Sequence, residues 1–352
     1  MFHKHATIRP KRRHAHRIRY SLLSVAILIM SAWCPPLFAQ TEMNDDLFGV
    51  SFPDPGKSAG AKKQMGWVCG RWGTVWQTQN SAETWECQQS GTDVTLSAIC
   101  FVDAENGWAV GEEGTIIHTE NGGKSWAPQQ SPVPGFLMDV CFVDSRQGWI
   151  VTEKTTILHT LDGGASWSVQ FSDEDFILKS ISFCDENNGW AVGEFGYTYH
   201  TRNGGNTWEL QSGSFDLSEE TGEMVGGNFL FRVKALSPTR AWAVGIDGYV
   251  THTTDGGESW APVSAGIPRT HLLGIAADPS GQLLIVGNAT LLAGYPDRDP
   301  IFQVLSGDTP LKYGWLYGVA ATGPEKFIAV GKGGGIYIID KNTSNRRRIS
   351  NR

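Results

Sequence analysis

Charge is scarce in this sequence: only 18% of its 352 residues are Asp, Glu, Lys or Arg, against 40% hydrophobic residues. Such a balance excludes a disordered, self-repelling chain. Helical periodicity is missing as well, since no useful length of chain repeats its apolar residues at a spacing of three to four. The six cysteines (Cys34, Cys69, Cys87, Cys100, Cys141 and Cys184) include no C-x-x-C pair, so nothing points to zinc. No apolar run reaches the ~20 residues of a membrane-spanning helix; the longest candidate, "LLSVAILIMSAW" at 22–33, has 12.

The first 39 residues lack acidic groups altogether. They hold seven Lys or Arg, then that apolar run, then "CPPLFAQ". Basic flank, short apolar segment and a small residue at the cut make a secretory signal, with cleavage expected after Ala39. The alternative, an uncleaved anchor, is short for a span. Of 29 basic and 36 acidic residues, 22 and 36 lie beyond residue 39, a net charge of −14. An acidic protein is a poor partner for nucleic acid or an anionic membrane surface. The basic end "RRRISNR" at 346–352 reads as a solvated tail. Five cysteines remain after the signal, an odd number, so at least one is unpaired within the chain. Cys100 and Cys141 share a repeat position, as small buried residues do, and a Cys69–Cys87 bridge stays open.

What is abundant is glycine (42) and tryptophan (14), and both are periodic. "CFVDAENGWAVGEEGTIIHTENGGKSW" from Cys100 returns from Cys141, Ser182 and Ala235, and in worn form at Met65–Trp85. One tryptophan series is Trp67, Trp108, Trp149, Trp190 and Trp242; the other is Trp85, Trp126, Trp167, Trp208 and Trp260. Their steps are 41, 41, 41 and 52 residues. Two copies without tryptophan follow, from Gly281 and Glu325, which makes seven units. Each reads as four short strands separated by Gly, Asn and Asp clusters. Four strands in ~40–45 residues is the size of a propeller blade. The prediction is an all-β chain, a seven-bladed β-propeller over 40–340. "FGVSFPD" at 48–54 is expected to be the inner strand of blade one, and 40–47 to supply the outer strand of blade seven.

The turn between strands three and four repeats most closely: "TENGGKSW", "TLDGGASW", "TRNGGNTW" and "TTDGGESW". Its Gly-Gly pair suits positive φ, and its Asn or Asp side chain can cap backbone amides. Asn121, Gly122 and Trp126, Asp162, Gly163 and Trp167, Asn203, Gly204 and Trp208, and Asp255, Gly256 and Trp260 are therefore read as structural. His118, His159, His200 and His252 recur beside these turns. They cannot share a metal, because packed sheets stand ~10 Å apart while ligands of one zinc lie within about 2.1 Å of it. No metal or other cofactor is expected.

The pattern T-x-[DN]-G-G-x-[ST]-W resembles the Asp-box, or bacterial neuraminidase repeat. The joined GWAVGxxG and THTxDGGxSW pattern is similar, more narrowly, to the propeller family of photosystem II assembly and stability factors. That resemblance spans Gly66 to about Asp340. It implies a non-catalytic scaffold that binds a protein client, a subunit of a membrane complex. A glycan-active or glycan-binding propeller is the rival reading, since sialidases also carry Asp-boxes. Sialidase chemistry needs clustered arginines. Arg146, Arg202 and Arg240 belong to the Asp-box side, only Arg71, Arg232 and Arg269 to the other, and Tyr197 and Tyr249 fit as strand residues.

Turns between strands two and three share a side with the blade-to-blade connections. They present Arg71, Trp72, Glu112, Glu113, Glu153, Lys154, Glu194, Phe195, Asp247 and Lys332, a largely acidic set and the expected partner-binding face. The insertion at 211–232, which explains the 52-residue step, emerges there and adds Glu219, Glu220 and Phe229.

Overall fold

The computed structural model describes residues 43–53, 64–173, 176–218, 224–295, 299–305, 314–340 and 343–348. They form seven four-stranded antiparallel sheets, each contiguous in sequence and ordered one to four from the inside outward. The innermost strands are Leu47–Ser51, Leu96–Phe101, Leu137–Phe142, Leu178–Phe183, Leu230–Ser237, Leu272–Ala277 and Leu316–Gly323. Each packs against the next, and the seventh against the first, so the ring is closed. The predicted seven-bladed propeller is the observed fold.

The seams between blades explain the tryptophans. Trp67, Trp108 and Trp149, all fully buried, lie flat on Phe101, Phe142 and Phe183 of the following blade, with ring centroids 3.6 Å apart in each case. The box tryptophan of that blade meets the same phenylalanine edge-on, as Trp126 meets Phe101 and Trp167 meets Phe142. Opposed faces and edges are the favoured aromatic geometries. The glycine before each of these tryptophans leaves room for a phenylalanine ring: a Cβ on Gly107 or Gly148 would stand 2.4 Å from Phe101 or Phe142.

A glutamine clamp crosses the same seams. Gln88, Gln129 and Gln170, spaced 41 residues apart, lie on the outer strands of blades one to three. Each donates its Nε2 to the carbonyl of the first glycine in the next blade's Gly-Gly turn: Gly122 at 3.1 Å, Gly163 at 2.8 Å and Gly204 at 2.9 Å. Gln211 does the same to Gly256 at 2.7 Å. In return Gln129 Oε1 accepts from Trp167 Nε1 at 3.1 Å, and Gln211 Oε1 from Trp260 at 3.3 Å. The second glycine of the turn is obligatory for two reasons. Gly164 sits at φ 84°, and a Cβ there would come within 2.0 Å of Gln129 Oε1.

The ring closes differently from expectation. The outer strand of blade seven is Thr343–Arg348, paired with Gly335–Asp340, rather than residues 40–47. The basic end is thus partly strand, because pairing there requires only backbone. On the other side of the closing seam, Asp46 accepts Gly333 N–H at 2.8 Å and pairs with Arg71 Nε at 3.2 Å. Phe48 stacks on Trp315 with centroids 5.6 Å apart.

The five cysteines beyond residue 39 are free. Cys69 and Cys87 lie on strands two and four of blade one, with strand three between them, two strand spacings and so ~10 Å apart, beyond disulfide reach. Cys100 is a seam residue: its Sγ accepts Phe142 N–H at 3.4 Å, as Ser51 Oγ accepts Phe101 N–H at 2.9 Å. Burial pushes the Cys100 thiol up to about 12.

Candidate functional site at the channel mouth

The two ends of the propeller are chemically unlike. At one end the T-x-[DN]-G-G turns sit against the turns between strands one and two, with Gly122 N–H donating to Glu105 and Gly163 N–H to Arg146. Their polar groups are used up locally. Thr160 Oγ1 donates to Asp162 Oδ1 at 2.8 Å and accepts Gly164 N–H at 2.8 Å, while Asp162 Oδ1 accepts Ser166 N–H at 2.9 Å. The hydrogen bonds from Ser166 and Thr160 hold the Asp162 carboxyl down at about 2. Asn121, Asn203 and Asp255 repeat the arrangement. The recurring histidines lie on the tryptophans: His118 on Trp108 at 4.5 Å, His159 on Trp149 at 5.2 Å, His200 on Trp190 at 4.1 Å and His252 on Trp242 at 4.4 Å. Desolvation lowers His118 and His159, and brings His200 to about 4. These are packing residues. Among the described residues no group of three or more His, Cys, Asp or Glu is placed to hold a metal ion.

At the opposite end the channel opens into a cavity of about 470 Å³. Its walls are Phe48, Trp72, Phe136, Met138 and Tyr317, with Arg71, Lys179 and Glu112 among them and the hydroxyls of Thr95 and Ser97. Phe48, Ser97, Met138, Lys179 and Tyr317 are the second residues of five inner strands, which the ring brings together. Beneath, a narrower cavity of about 160 Å³ is lined by inner strands of all seven blades. There Arg232 of blade five reaches Asp139 of blade three at 2.8 Å, and Ser180 Oγ of the intervening blade donates to the same carboxylate at 2.8 Å. The Arg232 guanidinium lies 5.5 Å from the Tyr317 ring centroid, a cation–π contact from blade seven. Asp139 and the coulombic field around it raise Arg232 further, against the cost of burial. Side chains of four blades thus meet inside the channel below the mouth.

Three of the residues expected on the partner face line the mouth: Arg71, Trp72 and Glu112. Trp72 is 69% exposed and sits at φ 56°. The same left-handed conformation recurs at the equivalent turn residues Glu113, Phe195 and Asp247, at φ 57°, 53° and 52°, so it belongs to the blade turn, and what sets Trp72 apart is its exposed indole. Glu112 spends one oxygen on Thr95 N–H at 3.1 Å, and Glu194 likewise on Ile177 N–H at 3.2 Å, so both cap their own inner strands. Glu113, Glu153, Lys154, Asp247 and Lys332 are exposed on their turns but lie outside the cavity. Asp247 contacts His271 Nδ1 at 3.5 Å.

Phe195 departs from expectation: it is only 7% exposed, packed on Phe176, Phe215 and Phe229. The insertion folds back over it, with a short hairpin of Asp216–Leu217 and Met224–Val225, and Phe229 is half-buried in the same cluster. Glu219 and Glu220 lie outside the described residues. Nor is the mouth acidic, since Arg71 and Lys179 outnumber Glu112 on its walls. Lys179, Phe136, Met138, Phe48 and Tyr317 went unanticipated because each reads as an ordinary strand-start residue. The one usable signal is the repeat position shared by Phe48, Met138, Lys179 and Tyr317, each the second residue of its inner strand.

Fold and repeats together define a seven-bladed propeller of the neuraminidase-repeat type. The chain belongs to the family described as photosynthesis system II assembly factor YCF48, whose matches cover residues 43–131, 118–219 and 175–287. Among solved structures it is similar to YCF48 bound to D1 peptide, with a TM-score of 0.65 at 19% identity over 85% of this chain and 92% of that one. It is similar also to YCF48 from Cyanidioschyzon merolae, at 0.66 and 17% over 85% and 97%. The Niastella koreensis GH74 enzyme shares the fold at 0.65 and 13% identity, over 87% of this chain and 55% of that one. None of the curated proteins matches the sequence.

Proposed function

We propose that this photosystem II assembly factor-like propeller is an exported, non-catalytic scaffold that holds an extended segment of a membrane-protein client in the channel mouth. The observation that carries this reading is the aromatic cavity with the exposed Trp72 on its rim. Exposed aromatic residues beside arginine are the usual anchors of protein interfaces, and loops on a rigid scaffold are their usual location. The family supports a protein client, and the structure of a family member with D1 peptide supports a photosystem subunit as that client. Export rests on the basic and apolar pattern of the first 39 residues.

The non-catalytic reading draws support from the carboxylates at the mouth. Glycoside hydrolysis uses a pair of carboxyl groups ~5–9.5 Å apart across the substrate. Here Glu112 is engaged as a strand cap and Asp139 is locked to Arg232. The test is recovery of the client from detergent-solubilised membranes by the immobilised propeller, with Trp72→Ala as the variant. A loss of tenfold or more is expected. Undiminished recovery would refute the mouth as the binding site, and turnover of sialosides or other glycosides would refute the scaffold reading.

A further inference from the structure

Lys179 is the unexplained group in the mouth. It belongs to the inner strand of blade four, lines the cavity and is half-buried. Arg71 has Asp46, Arg232 has Asp139, and Glu112 has Thr95 N–H. The Lys179 ammonium has no hydrogen bond or ion pair among the described residues. Its electrostatic neighbour, Glu194, is already committed to Ile177 N–H. Taking an ammonium out of water without a partner is costly, and burial accordingly lowers the Lys179 pKa. Phe48, Trp72, Phe136, Met138 and Tyr317 supply apolar and aromatic wall to the same cavity, and its other charged side chains, Arg71 and Glu112, have the partners just named. A cation so placed is a receptor for one negative charge carried on an apolar chain.

We propose that the mouth reads a carboxylate on the client segment, with Lys179 as its specificity-determining residue and the flanking apolar side chains of the segment stacked on Trp72, Phe136 and Tyr317. This rests on the mouth being the client site. A phosphate-bearing chain fits less well, because among the described residues of the mouth a doubly charged group would face one unpaired cation, Lys179, the other, Arg71, being held by Asp46. The carboxylate is either an Asp or Glu side chain or a chain terminus.

The experiment is selection of random twelve-residue peptides against the immobilised full propeller, with one library displayed by a free carboxyl end and one embedded between fixed flanks. The same selections are run on Lys179→Met, which keeps the apolar stem, and on Trp72→Ala. The expected result on the native protein is enrichment of one acidic position beside aromatic or aliphatic residues. On Lys179→Met the acidic position should vanish while apolar enrichment stays, and synthetic peptides of the native consensus should lose tenfold or more in affinity. Enrichment in the flanked library assigns a side-chain carboxylate, and enrichment confined to the free-ended library a terminal one. An unchanged acidic consensus on Lys179→Met, or none on the native protein, overturns the inference while leaving the mouth as the site. Selected peptides that bind Trp72→Ala equally well overturn the site itself.

Discussion

The seams between blades one and four and the seams that close the ring are built from different parts. In the former, tryptophan lies flat on phenylalanine and glutamine clamps a Gly-Gly turn, in register every 41 residues. From blade five onward the pattern thins. Trp242 is buried to 2%, yet it meets Phe302 edge-on at 5.7 Å, and the seams beyond rest on aliphatic residues such as Leu284, Val286, Leu291 and Leu316. The closing seam uses the Asp46 carboxylate and the Phe48–Trp315 stack. Regular packing thus suffices for stability where the chain repeats. The mouth draws on both: Phe48 and Tyr317 come from the irregular closing seam, and Phe136, Met138 and Lys179 from the regular blades three and four.

Substitutions can break that comparison. Trp149→Ala should cost about 3–5 kcal/mol by denaturant unfolding, the range for a buried aromatic residue. Trp242→Ala should cost less by about 0.5–1.5 kcal/mol, the worth of the missing stacked pair. Equal costs would mean that the phenylalanine face adds nothing. Next in size, Gly164→Ala should lose roughly 1–3 kcal/mol from positive φ, plus the displacement of Gln129. Gly281→Ala, at φ 84° with open space around it, isolates the φ contribution alone, so the difference between the two measures the clamp.

Asp46→Ala removes an acceptor from Gly333 and a partner from Arg71. A loss of about 1–2 kcal/mol is expected, with hydrogen exchange quickened first at Gly333. Uniform quickening round the ring would show that the closing seam is not a separate unit. The smallest effect is from pH. His200 falls from an ordinary 6.5 to about 4, and His118 and His159 fall in the same direction. The unfolded chain therefore binds protons that the folded one does not. The histidine contribution is constant above about pH 6.5 and declines as pH drops toward 4. The Asp162 carboxyl, held at about 2 against an ordinary 3.8, adds its own loss only below that. His200→Phe should shallow the slope between pH 6.5 and 4, read from urea midpoints; an unchanged slope would place the titration elsewhere.

Much of the architecture was legible because tryptophan and glycine are unambiguous at fixed spacing: Trp67 to Trp190 and the Gly-Gly turns announce blades by themselves. The glutamines at 88, 129 and 170 keep the same interval, but a polar residue at a strand end looks like any exposed one until the neighbouring turn is seen above it. The outer strand at Thr343–Arg348 was hidden because three arginines argue for solvent, whereas edge pairing depends on backbone alone. Phe195 was misplaced because its exposure depends on an insertion that folds back over it. At the site, Arg71, Trp72 and Glu112 were readable from their turn. The walls contributed by Lys179, Phe136 and Tyr317 were not, since only ring closure brings residues that are far apart in sequence to one opening.

The Asp139–Arg232 pair ties blade three to blade five across blade four, whose Ser180 joins the same carboxylate. Removing either charge would strand the other without a counterion, so these three blades are fastened to one another at the axis as well as along their seams.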